Sequence, residues 1–308
     1  MAGDDDAGTA RRRDGRGRPQ APVALSRPRR RAVLSTILHH DASTYRRAPV
    51  RSTLADLADG FGRVDLWSTM GWLDMRQRYR RSIFGPFWIT LSLAAFVAGL
   101  GVTYGALFGM PLAEYLPYLC IGIVVWTLLS GFILEGCGTF TGAEAMIKQM
   151  PAPLSLHAIR LVWRSVVTFL HNAVIVVITL LIFQINPGWA GLLVIPGLAL
   201  ILVNGLSLAL FFGTLSARFR DIPPLMANVT QTLFFVTPVI WHVENLKQRR
   251  FIAEWNPLYH LIEVVRGPLL GHAPSVTNWS VALAFTLATG LVAFFFYARF
   301  RWRIPYWV

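Results

Sequence analysis

The chain has 308 residues, of which 54% are hydrophobic, and its mean hydropathy is +0.49. Soluble domains average roughly 45–50% apolar residues, so this composition excludes an ordinary soluble globule and predicts a membrane protein. The net charge of +13 is local, because 17 of the 29 Lys and Arg residues lie within residues 1–82, beside nine acidic residues. We therefore expect no nucleic-acid partner.

Residues 1–50 are rich in Arg, Pro, Gly and Asp and poor in aromatic residues. Such a segment cannot bury enough apolar area to offset the entropy of ordering. We expect a disordered, basic cytoplasmic tail without a cleaved signal peptide, since no apolar run lies in the first 30 residues. Its arginines either help to fix the orientation of the chain or bind anionic lipid headgroups.

Residues 51–86 form a second region, which ends in several arginines. Its apolar stripe consists of Leu66, Trp67, Met70 and Leu73. This spacing predicts an amphipathic helix that lies in the membrane interface, immediately before the first span.

Six apolar segments follow within residues 87–308, each near the roughly 20 residues that a hydrocarbon core of about 30 Å requires. They cover residues 87–109, 115–137, 165–183, 191–215, 225–241 and 279–297. The fifth is short and contains Pro238, so we expect it to kink or break. The predicted fold is an all-α membrane protein with six transmembrane helices. The second segment contains both cysteines, too far apart along a helix for a disulfide.

Loop charges predict which side of the membrane each loop faces. The first and third loops carry no Lys or Arg, whereas the second loop with its flank, the fourth loop and the C-terminal tail carry Lys148, Arg160, Arg164, Arg218, Arg220, Arg299, Arg301 and Arg303. By the positive-inside rule both termini are cytoplasmic. The segment between the fifth and sixth spans disagrees, since it is also basic, although its acidic residues offset part of this charge.

That external segment contains a predicted short helix. Asn256 and Pro257 are typical of the cap and the first position of a helix, and apolar residues then recur at Leu258, Leu261, Ile262 and Val265. Gly267 and Pro268 are expected to end it. The pattern fits either a re-entrant gate at the outer interface or a loop that covers the bundle.

Several kinds of chemistry are not predicted for this chain. A P-loop needs a lysine after glycine to cradle phosphates, and neither Lys148 nor Lys247 has that context. No metal-ligand spacing and no nucleophile beside a base occurs, so we expect no metal, no cofactor and no catalysis here. Glu135 and His171 are the ionisable residues within the predicted spans. We interpret Glu135 as reaching the inner interface and His171 as a packing residue, the alternative being a proton-coupled carrier.

The fifth segment carries a face of alternating rings and hydroxyls if it is helical throughout. Its members are Met226, Thr230, Phe234, Thr237 and Trp241. Aromatic rings stack on the C–H faces of sugars while hydroxyls exchange hydrogen bonds with them, although such a stripe also suits a packed core.

Four motifs, in order, carry a resemblance to a known family. They are RYRRSIFGPFW at 78–88, ARFRDI at 217–222, TPVIW at 237–241, and NPLY at 256–259 leading to RGPLLG at 266–271. The chain resembles the permease subunit of ABC-2 type polysaccharide exporters, over about residues 65–305. The Arg-rich composition makes the galactan exporter of mycobacteria the nearest subgroup.

The resemblance implies a multi-pass protein of the bacterial inner membrane and a homodimer of permeases. Two copies of a separate P-loop ATPase would hold ATP and Mg²⁺ and hydrolyse the nucleotide. The cargo would be a polysaccharide, galactan in the nearest subgroup, on a polyprenyl-pyrophosphate lipid. The alternatives are an ABC-2 exporter of drugs or lipids and a polyprenyl-phosphate glycosyltransferase.

The resemblance also implies residue roles. The lipid headgroup and the gate would be served by Arg78, Tyr79, Arg80 and Arg81, whose guanidiniums suit pyrophosphate but equally suit positive-inside anchoring. The channel would be lined by Trp88, Thr230, Phe234, Thr237 and Trp241. The residues that couple the permease to the ATPase would be Glu144, Lys148, Arg218, Arg220 and Asp221. The last three of these also suit a structural salt-bridge cluster. The external gate would comprise Asn256, Pro257, Tyr259, Glu263 and Arg266.

Overall fold

The computed structural model describes residues 49–78, 80, 87–150 and 152–308, with the backbone alone at 49 and 246–248. Every regular element within these ranges is a helix, which confirms the predicted all-α class. The α-helices are α1 (Pro49–Gly62), α2 (Val64–Arg78), α3 (Phe87–Phe108), α4 (Leu112–Cys137), α5 (Glu144–Gln149), α6 (Ser155–Ile182), α7 (Val194–Arg218), α8 (Ile222–Val236), α9 (Phe251–Glu254), α10 (Pro257–Leu269), α11 (Val276–Phe300) and α12 (Ile304–Trp307). Short 3-10 helices lie at Thr141–Ala143, Gly188–Leu193, Val243–Arg249 and Arg301–Arg303.

Five helices in the described ranges are long and apolar enough to cross a bilayer: α3, α4, α6, α7 with the turn before it, and α11 with the turns after it. By contrast α8 has 15 residues, about 22 Å, against a hydrocarbon core of about 30 Å. It ends at Val236, five residues before the predicted end, because Thr237 precedes proline and takes extended backbone, φ −83° and ψ 136°. A sixth span therefore stays a prediction.

The central helix of the bundle is α4, whose side chains are buried from Tyr115 to Cys137 along most of its length. It packs against α3, α6, α7, α8 and α10. Small residues allow close approach of neighbours: a Cβ on Gly136 would lie 3.3 Å from the Cα of Ala209 in α7. Cys120 and Cys137 are both buried free thiols, as predicted.

The helix α6 begins at Ser155, ten residues before the predicted start of the third span, because a carboxylate from α1 caps it. Asp56 accepts hydrogen bonds from the backbone N–H groups of Leu154 and Ser155, both at 3.1 Å. Such a cap satisfies amides that the first turn leaves unbonded and complements the helix dipole. The same carboxylate accepts a bond from the Tyr297 hydroxyl at 2.8 Å and lies 3.3 Å from an Arg301 nitrogen. Asp56 thus joins α1 to α6 and to the end of α11.

The predicted interfacial region covers residues 51–86, of which residues 79 and 81–86 lie outside the described part. The described part contains α2 and nearly all of α1. Protein contacts determine the buried face of α2. Trp67 meets Trp163 of α6 edge-on at 5.5 Å between ring centroids, and a Cβ on Gly71 would lie 2.7 Å from the Trp163 ring. Met75 is buried, whereas Leu73 is 45% exposed. Leu73 therefore lies off the face that α2 packs against protein, and the location of its apolar stripe in the membrane interface stays a prediction.

The predicted short helix is present as α10. The Asn256 side chain caps it by accepting from the Leu258 N–H at 3.0 Å, and Pro257 is its first residue. The helix is buried among α4, α7 and α11, so its apolar positions face protein. Its close contact with α7 requires a glycine, since a Cβ on Gly197 would lie 2.7 Å from the Val264 carbonyl oxygen.

The contacts of the Asp56 carboxylate with Leu154, Ser155, Tyr297 and Arg301 form what we call the Asp56 clasp. Replacing Asp56 with alanine tests whether this clasp holds α1, α6 and α11 together. The change removes a shared acceptor from two helix-start amides and a buried hydroxyl, and it removes the carboxylate beside the buried Arg301 guanidinium, so we expect a loss of about 3 kcal/mol in the free energy of unfolding. Thermal unfolding of the purified chain in detergent would measure it. Asp59→Ala, at an exposed position of the same helix, is the control and should change little. Equal effects of the two changes would contradict the assigned role.

Candidate functional site

Charged side chains from three helices meet at the basic end of the bundle, by which we mean the C-termini of α4, α7 and α11 and the N-terminus of α6. Arg160 of α6 holds Asp74 of α2 with two parallel hydrogen bonds, one from Nε at 2.6 Å and one from Nη2. Arg164, one turn further along α6, donates to the same carboxylate at 3.3 Å. Two guanidiniums thus share Asp74.

Glu135, at the end of α4, continues this ion network. It accepts from Arg164 at 2.6 Å through one oxygen and from Arg78 of α2 at 3.2 Å through the other. Among the described residues, three guanidiniums therefore contact two carboxylates in one ion network. The side chains of Asp74, Arg160 and Arg164 are about four-fifths buried, so this network fastens α2 to both α4 and α6.

Of the predicted headgroup residues, the structure places Arg78 in the ion network and Arg80 at an exposed position. Tyr79 and Arg81 lie outside the described residues. The sequence analysis used Arg160 and Arg164 only to assign the side of the membrane, whereas in the structure they contribute most of the contacts in the ion network. Their signal was present, since two arginines four positions apart on one helix face next to an apolar run require acidic partners or anionic ligands.

A cleft of about 430 Å³ lies between α3, α4 and α8. Rings and polar side chains line it together: Phe96, Trp126, Phe234 and Phe235 beside Thr127, Ser130, Thr230 and Gln231. The rings of Trp126 and Phe234 lie 5.6 Å apart. Thr230 is 4% exposed and its hydroxyl oxygen makes no hydrogen bond within the described chain. The cleft therefore offers stacking surfaces and an available polar group.

The predicted channel residues do not form one face. Thr230 and Phe234 line the cleft, but Thr237 and Trp241 follow the end of α8 and have left its helical register. Thr237 is fully buried and accepts from the Asn256 side chain at 2.8 Å, and the Trp241 indole donates to the Phe235 carbonyl at 3.0 Å. Trp88, in the first turn of α3, is exposed and is not among the cleft residues.

Predicted coupling residues gather at the basic end, on α5 and on the turn between α7 and α8. Lys148 donates to Glu144 at 2.6 Å. This bond, together with the charges of Lys148 and Arg220, lowers the pKa of Glu144. The Arg218 guanidinium lies 5.3 Å from the ring centroids of Phe219 and Trp307. Asp221 is the residue before α8 and makes no side-chain cap.

At the opposite end of the bundle a buried arginine holds the backbone that follows α8. Arg266 is 1% exposed and donates to the Pro238 carbonyl at 2.9 Å and to the Glu263 carboxylate at 2.6 Å. Its guanidinium lies 3.8 Å from the centre of the Tyr118 ring. Such a position stabilises a cation through the ring quadrupole. Arg266 therefore links α10 to α4 and to the chain turn at Pro238.

The other predicted gate residues belong to the same end. Asn256 caps α10 and also donates to Thr237. One side chain therefore joins the start of α10 to the chain segment that follows α8. Tyr259 is half-buried, with its ring 5.0 Å from that of His260. Burial, with the nearby Glu263 carboxylate, raises the pKa of Tyr259 to about 12. Pro257 begins the helix. These contacts make the segment a packed unit of the bundle.

Among the described residues, no group of three or more His, Cys, Asp or Glu side chains is placed to hold a metal ion. Comparison with known proteins gives a more direct indication. The family model described as ABC-2 type transporter matches residues 65–270, which is well over half of the chain. This chain belongs to the ABC-2 type transporter family.

The matched range of this ABC-2 transporter chain extends from α2 to α10 and leaves out α1 and α11. Two curated proteins named O-antigen export system permease protein RfbA are similar to it. The one from Klebsiella pneumoniae is 22% identical over 193 residues, and the one from Myxococcus xanthus is 20% identical over 197. Each alignment covers 61% of this chain and 74% of the relative.

Replacing Asp74 with asparagine in this ABC-2 chain keeps the shape of the side chain but removes its charge. Arg160 and Arg164 would lose their shared carboxylate, and we expect a cost of about 2 kcal/mol and a loosened α2. Hydrogen exchange of the α2 amides would report the loosening. The control is Asp65→Asn in the exposed first turn of the same helix. Unchanged exchange in Asp74→Asn would show that the ion network does not hold α2.

The environment of His242 predicts that acid lowers the stability of the fold at the end of the bundle that contains Arg266. Its ring stacks on Tyr118 at 3.7 Å, and burial, together with the Arg266 charge, lowers its pKa from the ordinary 6.5. Protonation therefore disfavours the folded state, so its stability contribution is complete above about pH 6.5 and declines as the pH falls below that value. His242→Phe keeps a stacking ring without a charge. Melting temperatures between pH 8 and pH 5 should fall less in the variant, and parallel curves would contradict the assignment.

Proposed function

We propose that this chain is the permease of an ATP-driven exporter that moves a lipid-linked polysaccharide out of the cytoplasm. The carrier lipid is a polyprenyl pyrophosphate and the polymer is galactan. The complex contains two copies of the permease and two copies of a P-loop ATPase, which binds ATP and Mg²⁺ and carries out the hydrolysis. The permease itself has no catalytic role.

The cleft between α3, α4 and α8 is the observation that carries this proposal. A glycan chain presents apolar C–H faces and hydroxyl edges, and the cleft offers both matching surfaces: the rings of Trp126 and Phe234 beside the hydroxyls of Thr127 and Thr230. The two relatives named as O-antigen export permeases support the same class of cargo.

The exposed face of α8 supports a second copy of the chain. Asn228, Gln231 and Thr232 are exposed on this apolar helix. The Thr232 hydroxyl donates to the Asn228 carbonyl of its own helix at 3.0 Å. Lipid cannot satisfy the side-chain amides of Asn228 and Gln231, so such residues face protein or a water-filled passage in a membrane. Two copies that place these faces and their clefts together would enclose a polar conduit.

The basic end supports the assignment of sides and of the headgroup. The positive-inside rule places this end, and both termini, in the cytoplasm. There Arg78, Arg160 and Arg164 lie together in the ion network, and guanidiniums bind phosphate with paired hydrogen bonds. A pyrophosphate carrier approaching from the inner leaflet would meet these groups first.

The motor would contact the permease at α5 and the turn between α7 and α8, where Glu144, Lys148 and Arg220 lie near one another at the basic end. Exposed charged pairs of this kind suit a surface that exchanges partners, because their contribution to the fold is small.

Depletion of the chain in its own host tests the proposal. We expect lipid-linked polysaccharide to accumulate in the cytoplasmic leaflet, and a P-loop ATPase to copurify with the tagged chain. Cells without trapped glycan would instead indicate a drug or lipid exporter. Sugar transfer by the purified chain alone would indicate a glycosyltransferase, and export without any ATPase would also overturn the proposal.

Phe234→Ala tests the role of the cleft in the same host. Loss of one stacking ring is worth about 1 kcal/mol, so we expect export to slow by about fivefold while the protein level stays normal. Phe295→Ala is the matched control, because Phe295 is 58% exposed on the outer face of α11. Similar export rates for the two variants would argue that the cleft does not contact the polymer.

A further inference from the structure

A second, smaller cavity lies beside the ion network, between α4 and α6. Its volume is about 60 Å³. It is lined by Thr127, Leu128, Glu135, Ser165, Thr168, Phe169 and Asn172. Five of these seven side chains carry oxygen, which is unusual for a cavity between two apolar helices, since empty cavities in proteins are apolar.

Asn172 has an unpaired polar atom at this cavity. The residue is 3% exposed, and its Oδ1 has no hydrogen-bond partner among the described residues. Asn204, the corresponding buried amide between α7 and α11, bonds through both of its polar atoms, to Thr286 at 2.6 Å and from Thr289 at 2.7 Å. An unpaired buried amide costs about 1–3 kcal/mol, so Asn172 requires a partner that the described residues do not supply.

The hydroxyls that line the cavity have already donated their hydrogens to backbone carbonyls of their own helices. The bonds run from Thr127 to Val124 at 2.8 Å, from Ser165 to Leu161 at 3.0 Å and from Thr168 to Arg164 at 3.1 Å. Each hydroxyl oxygen keeps lone pairs that accept. With Glu135, the wall presents mainly acceptors, so an occupant must bring hydrogen-bond donors or a positive charge.

The charge of the surroundings decides between these two kinds of occupant. Glu135 is the carboxylate in the wall, and it already lies between the guanidiniums of Arg164 and Arg78. The site therefore has no negative charge in excess, which disfavours a cation and favours water. We propose that this cavity is a hydration site that holds at least two water molecules, which bond Asn172 and solvate Glu135. Each water takes about 30 Å³ in the liquid, so the volume is sufficient.

Hydration of this cavity has a consequence for the ion network. When a guanidinium leaves a carboxylate, the carboxylate loses the stabilisation of that ion pair. The loss is smaller if water still solvates the carboxylate on its other side. Thr127 also lines the large cleft, so the cavity and the cleft share this wall residue. The site therefore makes the pairing of Arg78 with Glu135 exchangeable, whatever cargo the transporter carries.

Radiolytic footprinting of the full chain in lipid nanodiscs tests the proposal, because hydroxyl radicals formed from bound water oxidise adjacent side chains. Leu128 and Leu129 are neighbours on α4 and are 5% and 1% exposed, but only Leu128 lines the cavity. We expect several-fold faster oxidation of Leu128 than of Leu129 in the unmodified protein. Equal, slow oxidation of both would show a dry cavity and overturn the proposal.

Asn172→Leu should fill the site and remove its unpaired amide. We expect the oxidation rate of Leu128 to fall to that of Leu129. The matched control is Asn245→Leu, at an exposed position of the 3-10 helix Val243–Arg249 and away from the cavity, which should leave the rate unchanged. A folded Asn172→Leu protein that still oxidises Leu128 quickly would contradict the proposal. The comparison within the unmodified chain stands even if the variant does not fold, and it is independent of the cargo.

Discussion

Charged groups in a low-dielectric helical bundle remain stable only when opposite charges or hydrogen-bonding groups lie against them. Both ends of this bundle are built around that requirement. At the basic end Asp74 and Glu135 pair with arginines from α2 and α6. At the opposite end Glu263 pairs with Arg266, and a backbone carbonyl accepts a hydrogen bond from the same guanidinium. The apolar lengths of the helices allow insertion into a bilayer, whereas these pairings determine which helices touch one another at each end.

The two ends satisfy the requirement in different ways. The basic network is partly exposed and borders a polar cavity, and under our proposal its pairs are able to exchange partners. Arg266 has no such freedom, because it is fully buried against Tyr118 and the turn at Pro238. A transporter with one adaptable end and one rigid end would open first where its charges are exchangeable. This difference agrees with a cargo that enters at the basic end.

Much of the fold was predictable, because long apolar runs and capping residues act locally. The segments of α3, α4, α7 and α11 and the cap of α10 at Asn256 all follow from neighbouring residues. The early start of α6 was not predictable, since its cap is Asp56, about a hundred positions away in the sequence. Thr237 and Trp241 were misplaced because helical spacing was extended through a position that precedes proline. The partners of Arg160 and Arg164 likewise depend on tertiary contacts that no periodicity reveals.

The clasp at Asp56 also bears on the order of events during synthesis. The helix α1 emerges before α6, so its carboxylate is ready to cap the third span as soon as residues 154 and 155 are made. Tyr297 and Arg301 are made well after α6 and complete the clasp only then. The complete clasp therefore joins α1 to the end of α11, and both of these elements lie outside the range that the transporter family model matches.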